Sequence, residues 1–235
     1  MEDTFADLAQ HCLSLLDQTG LDNRILIAVS GIPGSGKTTL GTAVHHKINE
    51  IWTSAHPSAP RISAFVPMDG FHLTRQKLAS MPNAEEAIAR RGAPFTFDPD
   101  GLLGLIRKLR TPIDSDTKTV YAPSFDHAAK DPVENDIAIY PTDRILIIEG
   151  NYLHLDQNPW HQIADLMNEL WFVNVQRYVA RERIIHRHIQ AGIAKDESEA
   201  ANRADQNDLV NGDYIIKHSL PPTRIIISID DKNYS

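Results

Sequence analysis

This sequence predicts a three-layer α/β fold with a mostly parallel β-sheet. Short, almost continuous runs of β-branched and other apolar residues recur along the chain, which is typical of strands that are covered on both faces. Stretches with helical spacing of apolar residues separate these runs, and a glycine-rich loop joins the first run to the helix that follows it. This alternation indicates a parallel sheet whose ligands bind beyond the carboxyl ends of the strands.

The predicted elements form a single domain over residues 1–235. An N-terminal helix occupies residues 1–20, a proline-rich insertion that builds an acceptor pocket occupies residues 69–141, and a lid with its following helix occupies residues 177–211. The predicted strands are residues 24–30, 61–68, 144–148, 170–175 and 224–229, with a short hairpin from residues 118–121 and 137–140. The predicted helices between them are residues 39–50, 100–110, 178–191 and 196–210.

Composition excludes several classes of protein. The chain has 235 residues, of which 42% are hydrophobic and 23% are charged, as in ordinary globular proteins. Its formal net charge of −8 argues against nucleic acid or an anionic membrane as the main partner.

No apolar run reaches membrane-spanning length, and the acidic N-terminus lacks a signal-peptide core, so we expect a cytoplasmic protein, with nuclear entry left open. The single cysteine, Cys12, lies in an amphipathic pattern and is expected to be a buried thiol.

Residues 31–38 (GIPGSGKT) fit the phosphate-loop pattern G-x-x-x-x-G-K-[ST] at every fixed position. The loop lies between a predicted strand and a predicted helix, which is the context that the motif requires. Its glycines allow successive N–H groups to point at phosphate oxygens, and the helix N-terminus adds partial positive charge. Lys37 can reach the β- and γ-phosphates, and the Thr38 hydroxyl can ligate Mg²⁺. The motif therefore predicts binding of a nucleoside triphosphate.

The loop alone does not select a reaction, because many nucleotide-binding proteins share it. The chain has no N-K-x-D motif of the kind that reads guanine in GTPases and no LSGGQ-like signature of a transporter ATPase. A helicase would need more length and a basic surface. A small-molecule kinase, by contrast, needs an acceptor-side base and a mobile cationic lid, and the sequence offers candidates for both.

Two carboxylates follow predicted strands. Asp69 comes directly after the second strand, which we expect beside the strand of the phosphate loop, and its carboxylate can take a proton from an acceptor hydroxyl. Asp69-Gly70 is also a common turn pair, so the residues alone leave both interpretations open. Glu149 ends an apolar strand and is predicted to hold Mg²⁺ directly or through water.

Four arginines cluster in the helix-like stretch that follows the fourth strand: Arg177, Arg181, Arg183 and Arg187. Arg183 and Arg187 are four residues apart and share one helix face. They are predicted to fold over the phosphates and to spread the charge of the transition state. The predicted ATP-binding residues are Gly31, Pro33, Gly34, Ser35, Gly36, Lys37, Thr38, Thr39, Arg183 and Arg187.

These features together resemble the phosphoribulokinase/uridine kinase family of phosphate-loop kinases, over about residues 24–229. The segments that carry the resemblance are GIPGSGKTT, MDGFH, YAPSFDH, IIEGNYL and the arginine-rich stretch. The resemblance implies the P-loop NTPase fold, ATP and Mg²⁺ as cofactors, a small-molecule hydroxyl as acceptor, and Asp69, Lys37 and Arg187 as catalytic residues. It also implies an acceptor site lined by Asp69, Phe71, His72, Phe97, Asp98, Phe125 and His127.

The chain departs from uridine kinases at several positions of the acceptor half. Phe125 stands where a tyrosine is usual, Asp69-Gly70 replaces Asp-Ser, and the lid reads RERIIHRH. The resemblance favours a nucleoside such as uridine as the acceptor. Pantothenate, a vitamin riboside or a sugar remain alternatives, as does a nucleotide-dependent switch without an acceptor. The sequence does not predict the oligomeric state.

Overall fold

A computed structural model describes residues 2–20 and 22–229. Its main sheet has five parallel strands in the order β2-β5-β1-β6-β7, and β3 and β4 form a separate antiparallel hairpin. The strands are β1 (Ile25–Gly31), β2 (Ser63–Pro67), β3 (Val120–Asp126), β4 (Asp131–Ile139), β5 (Ile145–Glu149), β6 (Glu169–Asn174) and β7 (Arg224–Ile227). The predicted α/β class and all five predicted strands of the sheet are confirmed.

Helices cover both faces of this sheet. They are α1 (Glu2–Gln18), α2 (Lys37–Ala55), α3 (Arg75–Ala79), α4 (Ala84–Ala89), α5 (Pro99–Leu109), α6 (Trp160–Asp165), α7 (Arg177–Gln190), α8 (Glu197–Arg203) and α9 (Leu209–His218). A π-helical turn, Ala204–Asp208, separates α8 from α9. The prediction of a single helix over residues 196–210 is therefore wrong, because this stretch contains two helices with a widened turn between them. Within the described residues, the helices are too short or too polar to cross a bilayer.

The central strand β1 explains why the strands read as continuous apolar runs. Ile25, Ile27 and Val29 face a core shared with α1 and α2, whereas Leu26 and Ala28 face the core on the opposite side. Since both faces are buried, both sets of alternating positions must be apolar. Cys12 of α1 is fully buried in the first of these cores, where burial raises the pKa of its thiol to about 12, as expected for a structural thiol.

The predicted neighbour of β1 is wrong. The strand β2 does not lie beside β1, because β5 is inserted between them and pairs with both. The crossover through α2 carries the chain past one strand position, and β5 fills that position after the chain has completed residues 69–141. Glu149 is thereby in register with Val29 on one side and with Pro67 on the other, so it lies between the phosphate loop and Asp69.

Residues 69–141 form a unit against the carboxyl edge of the sheet, built from α3, α4, α5 and the β3–β4 hairpin. The hairpin is longer than predicted, because its strands run to Asp126 and from Asp131. Residues 177–211 form α7, α8, the π-helical turn and the start of α9, with a small core of their own. We call these two units the acceptor-side insertion and the lid.

Candidate active site

The phosphate loop, residues 31–38, is held in a shape that requires glycine at two positions. Gly34 and Gly36 have φ angles of 77° and 87°, in the left-handed region, and Gly36 is the N-cap of α2. A Cβ atom at Gly34 would lie 2.5 Å from the carbonyl oxygen of Ala180, so the first turns of α7 press directly on the loop. Gly31 and Ser35 contact each other beneath the loop, and Pro33 packs near Gly212 of α9.

A cavity of about 670 Å³ opens above the loop, at the carboxyl edge of the sheet. Many of the predicted site residues line it, and they come from the loop, β2, β5, the hairpin and α7. The predicted residues among its lining are Gly34, Gly36, Lys37, Thr38, Thr39, Asp69, Phe125, His127, Glu149, Arg183 and Arg187.

Lys37 and Glu149 form a buried ion pair at the floor of this cavity, with the Nζ atom 3.7 Å from Oε1. Burial raises the pKa of Glu149 to about 7, against the opposing effects of Lys37 and of a hydrogen bond from the Thr38 hydroxyl. Burial also lowers the pKa of Lys37, against the attraction of Glu149. The oxygen donors of Thr38 and Glu149 are of the kind that a magnesium ion prefers, and burial of the Glu149 carboxylate outweighs the stabilising effect of Lys37 on its charged form.

Asp69 lies in a short 3₁₀ turn, Met68–Phe71, immediately after β2. Its side chain is 45% exposed and lines the same cavity as Lys37 and Glu149. The turn is fixed from behind, because His72 Nδ1 donates a hydrogen bond to the Asp69 carbonyl oxygen at 2.8 Å. Burial lowers the pKa of His72, which favours the neutral ring for this contact. The backbone of Asp69 is therefore held in place, and its carboxylate is accessible from the cavity.

Phe125 and His127 of the hairpin line the cavity on the side of Asp69 and form what we call the aromatic wall, and the largely buried His72 ring packs against Phe125 from behind. The His72 ring lies 4.8 Å from the Phe125 ring, and Phe125 lies 5.3 Å from His127, measured between centroids. Arg91 sits over Phe125 at 5.6 Å and pairs with Asp131 of the hairpin at 3.1 Å. This wall belongs to the acceptor-side insertion. Its two rings are inclined to each other by 66°, so the cavity has one aromatic face and one aromatic edge next to the Asp69 carboxylate.

Four residues that the family resemblance implied for the acceptor site do not line the cavity: Phe71, His72, Phe97 and Asp98. Phe71 and Phe97 are buried in the core, where the Phe97 ring contacts the His72 ring in a tilted arrangement with centroids 4.0 Å apart. The exposed Asp98 is the N-cap of α5, and its carboxylate accepts a hydrogen bond from Gly101 N at 2.9 Å. Phe71 and Phe97 support the wall from behind, and Asp98 has a local structural contact that its spacing before a helix is typical of.

The four arginines of α7 divide into two pairs. Arg177 makes bidentate contacts with Asp213 of α9, and Arg181 makes them with Asp205 of the lid, away from the cavity. Arg183 Nη1 donates to the Gly34 carbonyl oxygen at 3.2 Å, and Arg187 is exposed and lines the cavity. The two arginines predicted to face the phosphates are those that the fold brings to the loop.

Sequence reasoning missed several residues at this edge. Ser228 accepts a hydrogen bond from Arg183 at 2.9 Å and lies near Gly36. Its position directly after the last parallel strand is a signal that could have found it, because the carboxyl ends of such strands meet at the ligand edge. Thr4 and Phe5 of α1 also line the cavity, and nothing in their local sequence indicates this.

Comparisons with known proteins agree with this arrangement. The family model described as "Phosphoribulokinase / Uridine kinase family" matches residues 26–198. An "ATP-dependent kinase-like protein" of Aspergillus versicolor is 48% identical over 68% of this chain and 92% of its own length. A Schizosaccharomyces pombe protein named "Putative uridine kinase" is 40% identical over 86% of this chain and 83% of its own length.

Solved structures show the same fold. The crystal structure of a "putative fructose transport system kinase" from Silicibacter sp. TM1040 superposes with a TM-score of 0.77 at 30% identity, covering 93% of this chain and 98% of that chain. The family match covers well over half of the chain and includes the phosphate loop, Asp69, Glu149 and the lid arginines. The chain therefore belongs to the phosphoribulokinase/uridine kinase family, and it is an ATP-dependent P-loop kinase.

Proposed function

We propose that this kinase transfers the γ-phosphoryl group of ATP to a hydroxyl of a nucleoside such as uridine. The observation that carries the proposal is the meeting of two halves in one cavity: Lys37 and the phosphate loop on one side, and Asp69 with the aromatic wall on the other. A flat base fits against aromatic faces, and a ribose hydroxyl then reaches the open end of the Asp69 carboxylate.

The reaction follows from these positions. The acceptor oxygen attacks the γ-phosphorus, and its proton passes to the Asp69 carboxylate as the new P–O bond forms. The bond between the γ-phosphorus and the bridging oxygen breaks, and ADP leaves. Lys37, Arg183 and Arg187 offset the negative charge that spreads over the transferring group.

Thr38 and Glu149 are the residues that would hold Mg²⁺. Their oxygen atoms are hard donors, and the buried Glu149 carboxylate, with its raised pKa, is incompletely neutralised by Lys37 alone. A bound magnesium ion would neutralise phosphate charge. Lys37 and Glu149 would then both be fully charged in the loaded site, because each gains an opposite charge nearby.

A sugar is the second candidate acceptor. The 30% identical Silicibacter protein is described as a putative fructose transport system kinase, and sugar rings also pack against aromatic side chains. The two acceptors differ in how they use the aromatic wall. Because the Phe125 and His127 rings are inclined by 66°, a planar pyrimidine can stack on one ring and meet the edge of the other, whereas a single sugar ring covers less aromatic surface.

The direct test is an acceptor screen with the purified protein, Mg²⁺ and ATP. Nucleosides, vitamin ribosides, pantothenate and free sugars are compared by ADP formation, and the phosphorylated product is identified by mass spectrometry. We expect nucleoside-dependent turnover with uridine among the best acceptors. A sugar that outruns every nucleoside would replace the proposal with the second candidate, and a flat panel with steady ATP hydrolysis would favour a nucleotide-dependent switch.

Replacing Asp69 with asparagine tests the base directly. Asp69→Asn keeps the shape of the side chain but removes the proton acceptor, so we expect transfer to fall by about 100-fold or more. The dissociation constant of ATP, measured by calorimetry, should change by less than about twofold, because Asp69 lies on the acceptor side of the cavity.

Asp98→Asn is the matched control, since asparagine also caps helices well and Asp98 is engaged with Gly101. Turnover and acceptor KM of this variant should stay near those of the parent protein. Normal transfer by Asp69→Asn would rule out the proposed base.

A further inference from the structure

Arg187 is held differently from two other arginines of the lid. Arg181 binds Asp205 through two hydrogen bonds of 2.7 and 2.8 Å, and Arg177 binds Asp213 in the same bidentate way. The Nη2 atom of Arg187 lies 3.9 Å from Asp208 Oδ1, which is an ion pair longer than a hydrogen bond. Arg187 is also the one of these three that lines the cavity beside Lys37 and Glu149.

Asp208 is built into the lid at an unusual place. It is the last residue of the π-helical turn, Ala204–Asp208, and its side chain is only 15% exposed. Its second oxygen, Oδ2, lies 3.5 Å from Nε2 of the buried His188 and has no hydrogen-bond partner within the described residues. Single π-helical turns inside α-helical segments occur frequently at functional sites. The Asp208 carboxylate is thus largely buried within the lid and does not line the cavity, whereas its partner Arg187 does.

The π-helical turn is tied to the acceptor-side insertion. Asn207 Nδ2 donates to the Arg91 carbonyl oxygen at 3.1 Å, and Arg90 donates to the Gln206 carbonyl oxygen and to Asn211 Oδ1 at 3.1 and 2.8 Å. Asn207 and Asn211 are both buried. Asp208 therefore has a fixed position relative to the acceptor wall, whereas the Arg187 side chain is 58% exposed and can move.

We propose that Asp208 is a positioning residue that holds the guanidinium of Arg187 at the mouth of the cavity, aimed at the transferring phosphoryl group. The inference rests on the proposed role of Arg187 in phosphoryl transfer. An exposed arginine samples many rotamers, and electrostatic stabilisation of a transition state requires charges that are aimed before the reaction begins. A carboxylate fixed behind the guanidinium supplies that aim, and it leaves the donor atoms on the opposite side free for phosphate oxygens.

The test is a double-mutant cycle with the full-length chain: parent, Asp208→Asn, Arg187→Ala and the double variant. Two quantities are measured for each: the rate of ADP formation, with and without acceptor, and the affinity for Mg·ADP with aluminium fluoride, which mimics the transferring phosphoryl group. We expect about a 100-fold loss of kcat in Arg187→Ala and about a 10-fold loss in Asp208→Asn, with the KM of ATP nearly unchanged in the latter. The double variant should match Arg187→Ala, because Asp208 has nothing left to position.

Asp205→Asn is the matched control, because it removes the carboxylate of the Arg181 pair from the same π-helical turn without touching the cavity. Its rate should stay within about twofold of the parent, as expected for an exposed pair. Losses that multiply in the double variant would overturn the inference, since Asp208 would then act by supporting the lid. An unchanged Arg187→Ala variant would overturn it as well, together with the proposed role of Arg187.

The cycle is separable from the identity of the acceptor. If no compound of the acceptor panel is phosphorylated but the aluminium-fluoride affinities show the same non-additive pattern, the acceptor proposal fails and the positioning role of Asp208 stands. If uridine is phosphorylated but the two rate losses multiply in the double variant, the acceptor proposal stands and the positioning role of Asp208 fails. Melting temperatures of all four proteins identify any variant whose loss comes from partial unfolding.

Discussion

Asp69 and Glu149 are carboxylates at the ends of neighbouring strands, yet their surroundings give them different chemistry. Glu149 is buried, pairs with Lys37 and has a raised pKa of about 7. Asp69 is 45% exposed, and its carboxylate faces the open side of the cavity. Two carboxylates in one site commonly take separate roles when their environments differ in this way. The exposed one can exchange a proton with an acceptor, and the buried one is suited to a fixed cation.

The raised pKa of Glu149 predicts how the ligand-free protein responds to pH. A carboxyl group whose pKa is raised by folding contributes stability that is fully present below its ordinary value of 4.5 and is lost as the pH rises through about 7. Glu149→Gln removes this titration. We therefore expect the variant to gain stability relative to the parent between pH 5 and pH 8, by on the order of 1 to 3 kcal/mol.

Urea unfolding at several pH values measures this difference, with the buried Lys37 retained in both proteins. Saturating Mg·ATP should reverse the ranking, because the parent alone keeps the carboxylate that the cation would bind. A stability difference that does not change with pH would contradict the assignment of the raised pKa to Glu149.

At the scale of elements, the phosphate loop depends on α7 as much as on its own glycines. The carbonyl oxygen of Ala180 occupies the space in which a Gly34 side chain would lie, and Arg183 of the same helix donates to the Gly34 carbonyl oxygen. The lid therefore begins with a rigid contact on the loop.

Gly34→Ala tests this contact. The alanine would need a left-handed backbone and would meet a backbone atom at 2.5 Å, so α7 must shift. We expect a loss of about 2 kcal/mol or more of unfolding free energy and a large loss of ATP affinity. Gly104→Ala is the control, because that glycine lies in α5 with nothing within 4 Å of a new Cβ atom. It should raise stability by about 0.5 to 1 kcal/mol, and equal effects of the two substitutions would contradict the crowding at Gly34.

Local sequence patterns predict those helices and strands whose burial leaves a regular pattern of apolar residues in the segment itself. The central strands β1 and β5 are almost entirely apolar because both of their faces are buried, so their runs stand out from the sequence. The position of β5 between β1 and β2 could not be predicted from any local pattern, because it depends on the crossover through α2 and on the long path of the chain through the insertion. The π-helical turn at residues 204–208 was also missed, since no periodicity of its residues indicates it; in the structure its Asn207 donates a hydrogen bond to the insertion.

At the scale of the whole molecule, the phosphate-binding part of the site could be predicted from the sequence much more completely than the rest of the cavity. The donor half is one contiguous motif, so the loop, Lys37 and Thr38 could be predicted from spacing alone. The rest of the cavity is assembled from the end of β2, the hairpin, α7 and the end of β7. Phe71, Phe97 and Asp98 lie outside its lining, whereas Ser228 lies within it. Those residues act through contacts between units that are distant in sequence, which no periodicity records.

The small core of the lid predicts where the molecule opens. This core consists of Ile184, Ile185, Ala194, Ala200, Ala204 and Leu209, so half of its buried side chains are alanines. Alanine buries little apolar surface, whereas the strands of the main sheet are rich in buried isoleucine. Local opening follows such differences in buried area. The amides of α8 should therefore exchange with solvent much faster than those of β1 and β5 in the ligand-free protein.

Binding of a non-hydrolysable ATP analogue with Mg²⁺ should slow exchange in α7 and α8, because Arg183 and Arg187 then gain phosphate partners and the lid closes. Hydrogen exchange followed by mass spectrometry measures this peptide by peptide. In Lys37→Ala, which loses a central phosphate contact, the same nucleotide concentration should give little slowing. Exchange in α8 as slow as that in β1 without nucleotide would mean that the lid is a rigid part of the core, and closure would then require movement of the acceptor-side insertion instead.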